Sequence, residues 1–177
     1  PLFSKNTDKL PFTWSPMMFD YDTKGRSSEV MFVDDLQAYI NSPKQLSQLQ
    51  DYHIYLMRNP SSKNKGLGFA LAGNFYPDFL LWLVHKQTGK QYLTVIDPKG
   101  IRNMSVDDAK INLYKEIKTI ESQAGGDLVL NSFILSVTPF SEMVDKSVSA
   151  DKLKERNVLF MLDNKQYLDD MFERILN

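Results

Sequence analysis

The chain has 177 residues, of which 42% are hydrophobic and 24% are charged, and its net charge is −1. This is the composition of a folded protein with its own core, and the absence of a basic excess argues against a stand-alone electrostatic binder of nucleic acid. The sequence contains no cysteine and only two histidines. Disulfides, thiolate zinc and cysteine nucleophiles are therefore excluded, and a metal site would depend on carboxylate oxygens, which favours Mg²⁺ or Mn²⁺.

No apolar run approaches the roughly 20 residues that span a bilayer, and the first residues lack a signal-peptide pattern. We therefore expect a cytoplasmic protein that does not associate with a membrane. Because the chain begins at Pro1 and not at methionine, we also expect it to be part of a longer polypeptide.

Residues 1–26 carry aromatic residues and prolines without periodicity, which predicts an irregular N-terminal arm. Ser27 and Ser28 offer an N-cap to a helix that ends near residue 40, and its core-facing stripe begins with Glu29. Glu29 either points toward a cleft or complements the helix dipole in the first turn. A short helix at 44–50 and a strand at 52–58 are predicted to follow.

A polar loop at 59–66 carries Lys63 and Lys65. These lysines are either solvated or placed to contact a phosphate backbone. Residues 67–72 are predicted to form a brief extended segment.

Two apolar runs, at 79–84 and 92–96, are joined by a polar turn at 86–90, a pattern typical of a β-hairpin. Asp78 opens the first strand, Asp97 closes the second, and Lys99 follows two residues later. Because the start of one hairpin strand lies beside the end of the other, we expect these three side chains to converge at one sheet edge. Two carboxylates and an ammonium group there suggest a divalent-metal site with a catalytic lysine. Phe79 and Trp82 are predicted to be core aromatics.

Ser105 and Asp108 resemble a capping box for a helix that continues to about residue 123. Lys110 interrupts its apolar stripe, and it either snorkels to solvent or contacts a ligand. Strands are predicted at 127–138 and 158–162, with helices from 150 and at 166–176. The two histidines, His53 and His85, are placed on the surface. The order of elements indicates an α/β fold around one mixed sheet.

The pair Pro77-Asp78, followed by Asp97-Pro98-Lys99, resembles the motif of the PD-(D/E)xK nuclease superfamily. The predicted elements also match the αβββαβ order of that superfamily. Residues 74–83 and 95–100, together with 130–133 and 138–140, are more particularly similar to the C-terminal nuclease region of type III restriction subunits and DEAD/DEAH-box helicase-like proteins. The resemblance covers about residues 27–140.

The resemblance implies a restriction-endonuclease-like core at 27–140, with the arm at 1–26 and a C-terminal extension at 141–177 packed on the core. It implies that Asp78, Asp97 and the Pro98 carbonyl bind Mg²⁺ or Mn²⁺, and that Lys99 orients the attacking water. Glu29 is implied as an outer ligand or a second-metal ligand. Arg102 and Lys110, with Lys63 and Lys65 of the loop, are candidate DNA contacts.

The function that follows from the resemblance is a metal-dependent deoxyribonuclease linked to a helicase or translocase region of the same longer chain. Cleavage of both DNA strands would need two such sites, and hence dimerisation on DNA. The alternatives are a catalytically silent module that acts through protein contacts, a repair nuclease with the same site, and a simple Asp–Lys ion pair that caps the hairpin.

Overall fold

The computed structural model describes the backbone of residues 2–4 and the residues 28–59 and 75–177, and within these ranges six strands form one mixed sheet. The strands lie in chain order across the sheet. The first four are antiparallel neighbours, whereas the last three run parallel to one another. The strands are β1 Leu2–Ser4, β2 Tyr52–Arg58, β3 Phe79–His85, β4 Gln91–Lys99, β5 Leu128–Ser136 and β6 Val158–Phe160.

The described residues also form five α-helices. None of them is long and apolar enough to cross a membrane. They are α1 Ser28–Ile40, α2 Pro43–Leu49, α3 Ala109–Ala124, α4 Ala150–Glu155 and α5 Tyr167–Leu176. Apart from the short α2 between α1 and β2, the elements from α1 to β5 follow the order αβββαβ, so the predicted α/β architecture is confirmed.

Hydrophobic side chains cover both faces of the sheet. One face packs against α1 and α5, and its fully buried members include Leu81 and Leu83 of β3. The other face packs against α3 through Leu113 and Ile117. Residues 158–176 supply part of the main cluster, so the end of the chain belongs to the same core as α1.

The hairpin of β3 and β4 sets the position of the site. Its turn contains Gly89 at a φ of 72°, a left-handed conformation that glycine adopts without steric cost. Pairing runs from Val84–Gln91 at the turn to Phe79–Ile96 at the open end. Asp78 directly precedes Phe79 and Asp97 directly follows Ile96, so both acids lie at the open end of the hairpin.

Several local predictions were wrong. Leu2–Ser4 of the N-terminal arm is a strand paired with β2, because its backbone continues the antiparallel ladder. Asp108, not Ser105, caps α3: its side chain accepts a hydrogen bond from the Lys110 amide at 2.8 Å, and the helix begins at Ala109. The predicted segment at 67–72, like most of the arm, lies outside the described residues.

Trp82 is also not a core aromatic, because 38% of its surface is exposed. It alternates with the buried Leu81 and Leu83 and so faces the opposite side of the sheet, where its ring centroid lies 5.8 Å from that of Tyr55. Phe79, in contrast, is buried as predicted.

Candidate active site

Asp78 and Asp97 come together at the open end of the hairpin. Asp97 is only 4% exposed, and the two carboxyl groups share a hydrogen bond. Burial, this hydrogen bond and the repulsion between the two charges raise the pKa of Asp78 from 3.8 to about 7, against the opposing attraction of Arg58 and Lys99. Two carboxylates held this close in a largely buried position repel each other when both are ionised, and a bound cation would relieve that repulsion.

Lys99 lies two residues after Asp97 on the same strand, so both side chains project from the same face of the sheet. Its Nζ lies 2.6 Å from Asp97 Oδ2. Burial lowers the pKa of Lys99, but the attraction of Asp97 and the hydrogen bond to it outweigh burial, and the net pKa is raised. Lys99 is therefore a protonated, positively charged group at neutral pH.

The Pro98 carbonyl lies between these two residues in β4. Pro98 lies beyond Ile96, the last residue of β4 that pairs with β3, so its missing N–H removes no hydrogen bond from the β3–β4 ladder. Its carbonyl oxygen accepts a hydrogen bond from the Ser28 hydroxyl at 2.8 Å. Because a carbonyl oxygen has two lone pairs, this contact leaves one available for a cation. Ser28, which the sequence placed at the helix cap, thus ties the start of α1 to the end of β4.

Glu29 is directed into the same region, where it forms an ion pair with Arg58 at the end of β2. The Arg58 guanidinium lies 5.2 Å from the centre of the Phe79 ring and also attracts the Asp78 carboxylate. Sequence reasoning missed Arg58. The feature of the sequence that could have identified Arg58 is its charge at the last position of β2, the strand that pairs with the start of β3.

Asn59 fixes the backbone at Asp78 and was also missed. Its backbone N–H donates to the Asp78 carbonyl at 2.8 Å, and its side-chain amide donates to the Pro77 carbonyl at 2.8 Å. Asn59 is 2% exposed. In the sequence it is the first residue of a polar loop, and nothing in its composition distinguishes it from the loop residues that follow.

Lys110 reaches the site from the first turn of α3. Its ammonium lies 5.4 Å from the centre of the buried Phe75 ring, and that of Lys99 lies 5.8 Å from it. Burial, and then the neighbouring charge of Lys99, lower the pKa of Lys110. Of the two interpretations of Lys110, a solvated lysine and a member of the site, its position beside Lys99 favours the second.

The remaining candidates are not brought to this cluster by a described contact. Arg102 is exposed, and its guanidinium lies 4.0 Å from the Glu142 carboxylate. Lys63 and Lys65 lie outside the described residues. The candidate active site is therefore formed by the β3–β4 hairpin, the end of β2, and the starts of α1 and α3.

The donor set of the centre fits a small hard cation. It offers two carboxylates and one carbonyl oxygen, and Mg²⁺ typically binds one or two carboxylates and takes its other oxygens from water and substrate phosphate. Within the residues that the structure describes, no group of three or more histidine, aspartate or glutamate side chains is placed to hold a metal ion. The residues thus suit an open Mg²⁺ or Mn²⁺ site and not a closed metal cage.

Two neighbouring acids with a lysine beside them could hold a divalent ion and stabilise negative charge on an oxygen that approaches them. His53 and His85 lie on β2 and β3, at the end of the β2–β3 ladder opposite to Arg58 and Phe79, and so away from the acid pair. In comparisons with protein-family models, curated proteins and solved structures, the chain has no match.

Proposed function

We propose that the chain is a metal-dependent DNA endonuclease domain of the PD-(D/E)xK type. The observation that supports this most strongly is the meeting of Asp78 and Asp97 at one sheet edge, with Lys99 2.6 Å from Asp97. The αβββαβ order of the surrounding elements supports it as well. A hairpin-capping ion pair would need one acid and one lysine, and it gives no reason for a second, mutually repelling carboxylate.

Asp78, Asp97 and the carbonyl of Pro98 would hold Mg²⁺ or Mn²⁺. When bound, the metal would act as a Lewis acid on the phosphodiester and lower the pKa of the attacking water. The chain's own contribution is a rigid set of oxygens: β4 fixes Asp97 and Pro98, and the Asn59 hydrogen bonds fix Asp78.

Lys99 would position the attacking water and stabilise the negative charge that develops on the phosphate. Its raised pKa disfavours a role as general base, because a base must be unprotonated to accept a proton. Lys110, adjacent to Lys99, would contact a non-bridging phosphate oxygen. Arg102 would reach the DNA backbone farther from the scissile bond.

The substrate would be delivered largely by other parts of a longer protein. A net charge of −1 supplies little general attraction for DNA. A helicase or translocase region of the same polypeptide would supply the affinity for DNA. Two copies of the nuclease domain on the DNA would be needed to cut both strands.

Nicking of supercoiled plasmid by the purified chain tests the proposal. We expect nicked product with Mg²⁺ or Mn²⁺, none with EDTA, and loss of the product in Asp78→Ala, Asp97→Ala and Lys99→Ala. Lys152→Met is the matched control, because Lys152 forms an exposed ion pair with Glu155 on α4. Undiminished nicking by the three site variants would reject the proposal, and a folded wild-type chain that never cleaves and binds no metal would favour the scaffolding alternative.

A further inference from the structure

Glu29 and Arg58 form a charge pair at the inner side of the centre. Glu29 is the second residue of α1, and Arg58 is the last residue of β2. Their side chains retain only 21% and 18% of their exposure, respectively. The carboxylate that would be the natural ligand of a second metal ion therefore already faces a fixed positive charge.

Arg58 is held in this position from two directions. Its β-ladder partner is Phe79, and its guanidinium lies against the ring of that same buried residue, 5.2 Å from the ring centre. The next residue, Asn59, is bonded to the backbone of Asp78. Rotation of the guanidinium away from the site would break the ion pair with Glu29 and the contact with the Phe79 ring. Arg58 is therefore a fixed positive charge and not a mobile surface arginine.

The position of Arg58 also connects Glu29 to the metal-binding acids. The guanidinium attracts the Asp78 carboxylate in addition to Glu29. A divalent ion placed between Glu29 and Asp78 would have to share that space with a positive charge in a largely buried region, where like charges are poorly screened.

We propose that Arg58 takes the place of a second metal ion, so that this centre binds one divalent cation per chain and Glu29 positions Arg58 without coordinating metal. This inference rests on the proposed nuclease function, which it sharpens. It makes Arg58 a positioning group for Asp78 and a fixed positive charge near the phosphate. It also restricts the ligands of the single ion to the β3–β4 hairpin.

Titration of the full chain with Mn²⁺ alone, followed by the electron paramagnetic resonance signal of the free ion, measures the number of bound ions. We expect one Mn²⁺ per wild-type chain. Arg58→Met removes the charge but keeps much of the apolar side chain, so we expect two ions per chain, because Glu29 is then left without its partner. Arg58→Lys and the double variant Arg58→Met/Glu29→Gln should both return the number to one.

Arg156→Met is the matched control for loss of a half-buried arginine. Arg156 forms an ion pair with Asp107 at 3.7 Å and donates to the Val106 carbonyl at 2.9 Å, away from the hairpin edge. This variant should still bind one ion. Two ions on the wild-type chain, or one ion on folded Arg58→Met, would overturn the inference while leaving the proposed nuclease function intact if plasmid is still cleaved.

Glu29→Gln provides an independent arm if Arg58→Met does not fold. Since Glu29 is not a ligand in this account, folded Glu29→Gln should still bind one Mn²⁺ per chain. Loss of the bound ion from folded Glu29→Gln would show that Glu29 coordinates it and would refute the inference. A wild-type chain that binds no Mn²⁺ would refute the proposed function as well, which separates the two failures.

Discussion

Asp78 and Asp97 destabilise each other when both are ionised. The folded-state pKa of Asp78 is raised to about 7 from 3.8, so protonated Asp78 favours the folded state. The stabilising contribution is fully present below about pH 4 and is lost as the pH rises through 7. At higher pH the two carboxylates of the metal-free protein repel each other, and the positive charges of Arg58 and Lys99 offset this repulsion only in part.

We therefore predict that Asp78→Asn stabilises the metal-free protein at pH 8 but not at pH 4. One pKa unit corresponds to about 1.4 kcal/mol and the pKa of Asp78 is raised by about three units, so the gain in the free energy of unfolding should be on the order of 4 kcal/mol. Urea unfolding in EDTA at the two pH values measures it. A variant that shows the same stability difference from wild type at both pH values would contradict this account of the acid pair.

Most of this residue-level arrangement was predictable from the sequence, but part of it was not. Asp78, Asp97 and Lys99 lie on one hairpin, and local geometry alone brings them together. Arg58 joins them from a different strand and pairs with Glu29, which lies 29 residues earlier. Such a contact depends on how α1 packs on the sheet, and no local pattern encodes it.

At the scale of elements, the joint between β2 and β3 keeps the acid pair in position. Asn59 directly follows β2 and bonds to the carbonyls of Pro77 and Asp78, which directly precede β3. Because Asn59 is buried, removal of its amide would leave the Pro77 carbonyl without this hydrogen bond in a place with little access to water.

We predict that Asn59→Ala lowers the free energy of unfolding by about 1–3 kcal/mol, the usual cost of a buried polar group that loses its partner. Chemical denaturation measures this change. Asn41→Ala is the control, because the Asn41 amide makes a similar bond to a backbone carbonyl, that of Gln37, at an exposed position. The control should change stability by less than about 0.5 kcal/mol. Equal effects of the two substitutions would show that Asn59 does not brace the joint.

The prediction of element boundaries succeeded where periodicity was strong and failed where several polar residues competed. Strands β3 and β4 follow from their apolar runs. The start of α3 was wrong because Ser105 and Asp108 both suit a cap, and tertiary contacts decide between them: Ser105 Oγ donates to Asp145 at 3.3 Å, and Asp108 caps the helix. Trp82 was misplaced because a continuous apolar run does not show how far α3 extends across the sheet.

At the scale of the whole molecule, the C-terminal helix is part of the core that supports the site. Phe172 of α5 is 3% exposed and stacks on Tyr39 of α1 at 5.0 Å between ring centroids. Since α1 also carries Ser28 and Glu29, the packing of α5 contributes to the position of the candidate active site.

We predict that Phe172→Ala destabilises the protein by about 3–5 kcal/mol, the range for a large aromatic side chain removed from a core. Thermal unfolding should show one cooperative transition at a lower temperature. Leu162→Ala is the control, because Leu162 is 51% exposed. A second, separate transition, or a cost for Phe172→Ala no greater than that for Leu162→Ala, would mean that the C-terminal segment folds apart from the body.

The proposed nuclease function requires that the acid pair and Lys99 perform chemistry. The most direct measurement compares the initial rates of plasmid nicking by the wild-type chain and by Asp97→Asn, at equal protein and Mg²⁺ concentrations. This substitution keeps the size of the buried side chain but removes a charged metal ligand, and we predict that the rate falls by a factor of about 100 or more, a few kcal/mol of transition-state stabilisation. Equal rates for the two proteins would contradict the proposal that this hairpin edge is the active site of a nuclease.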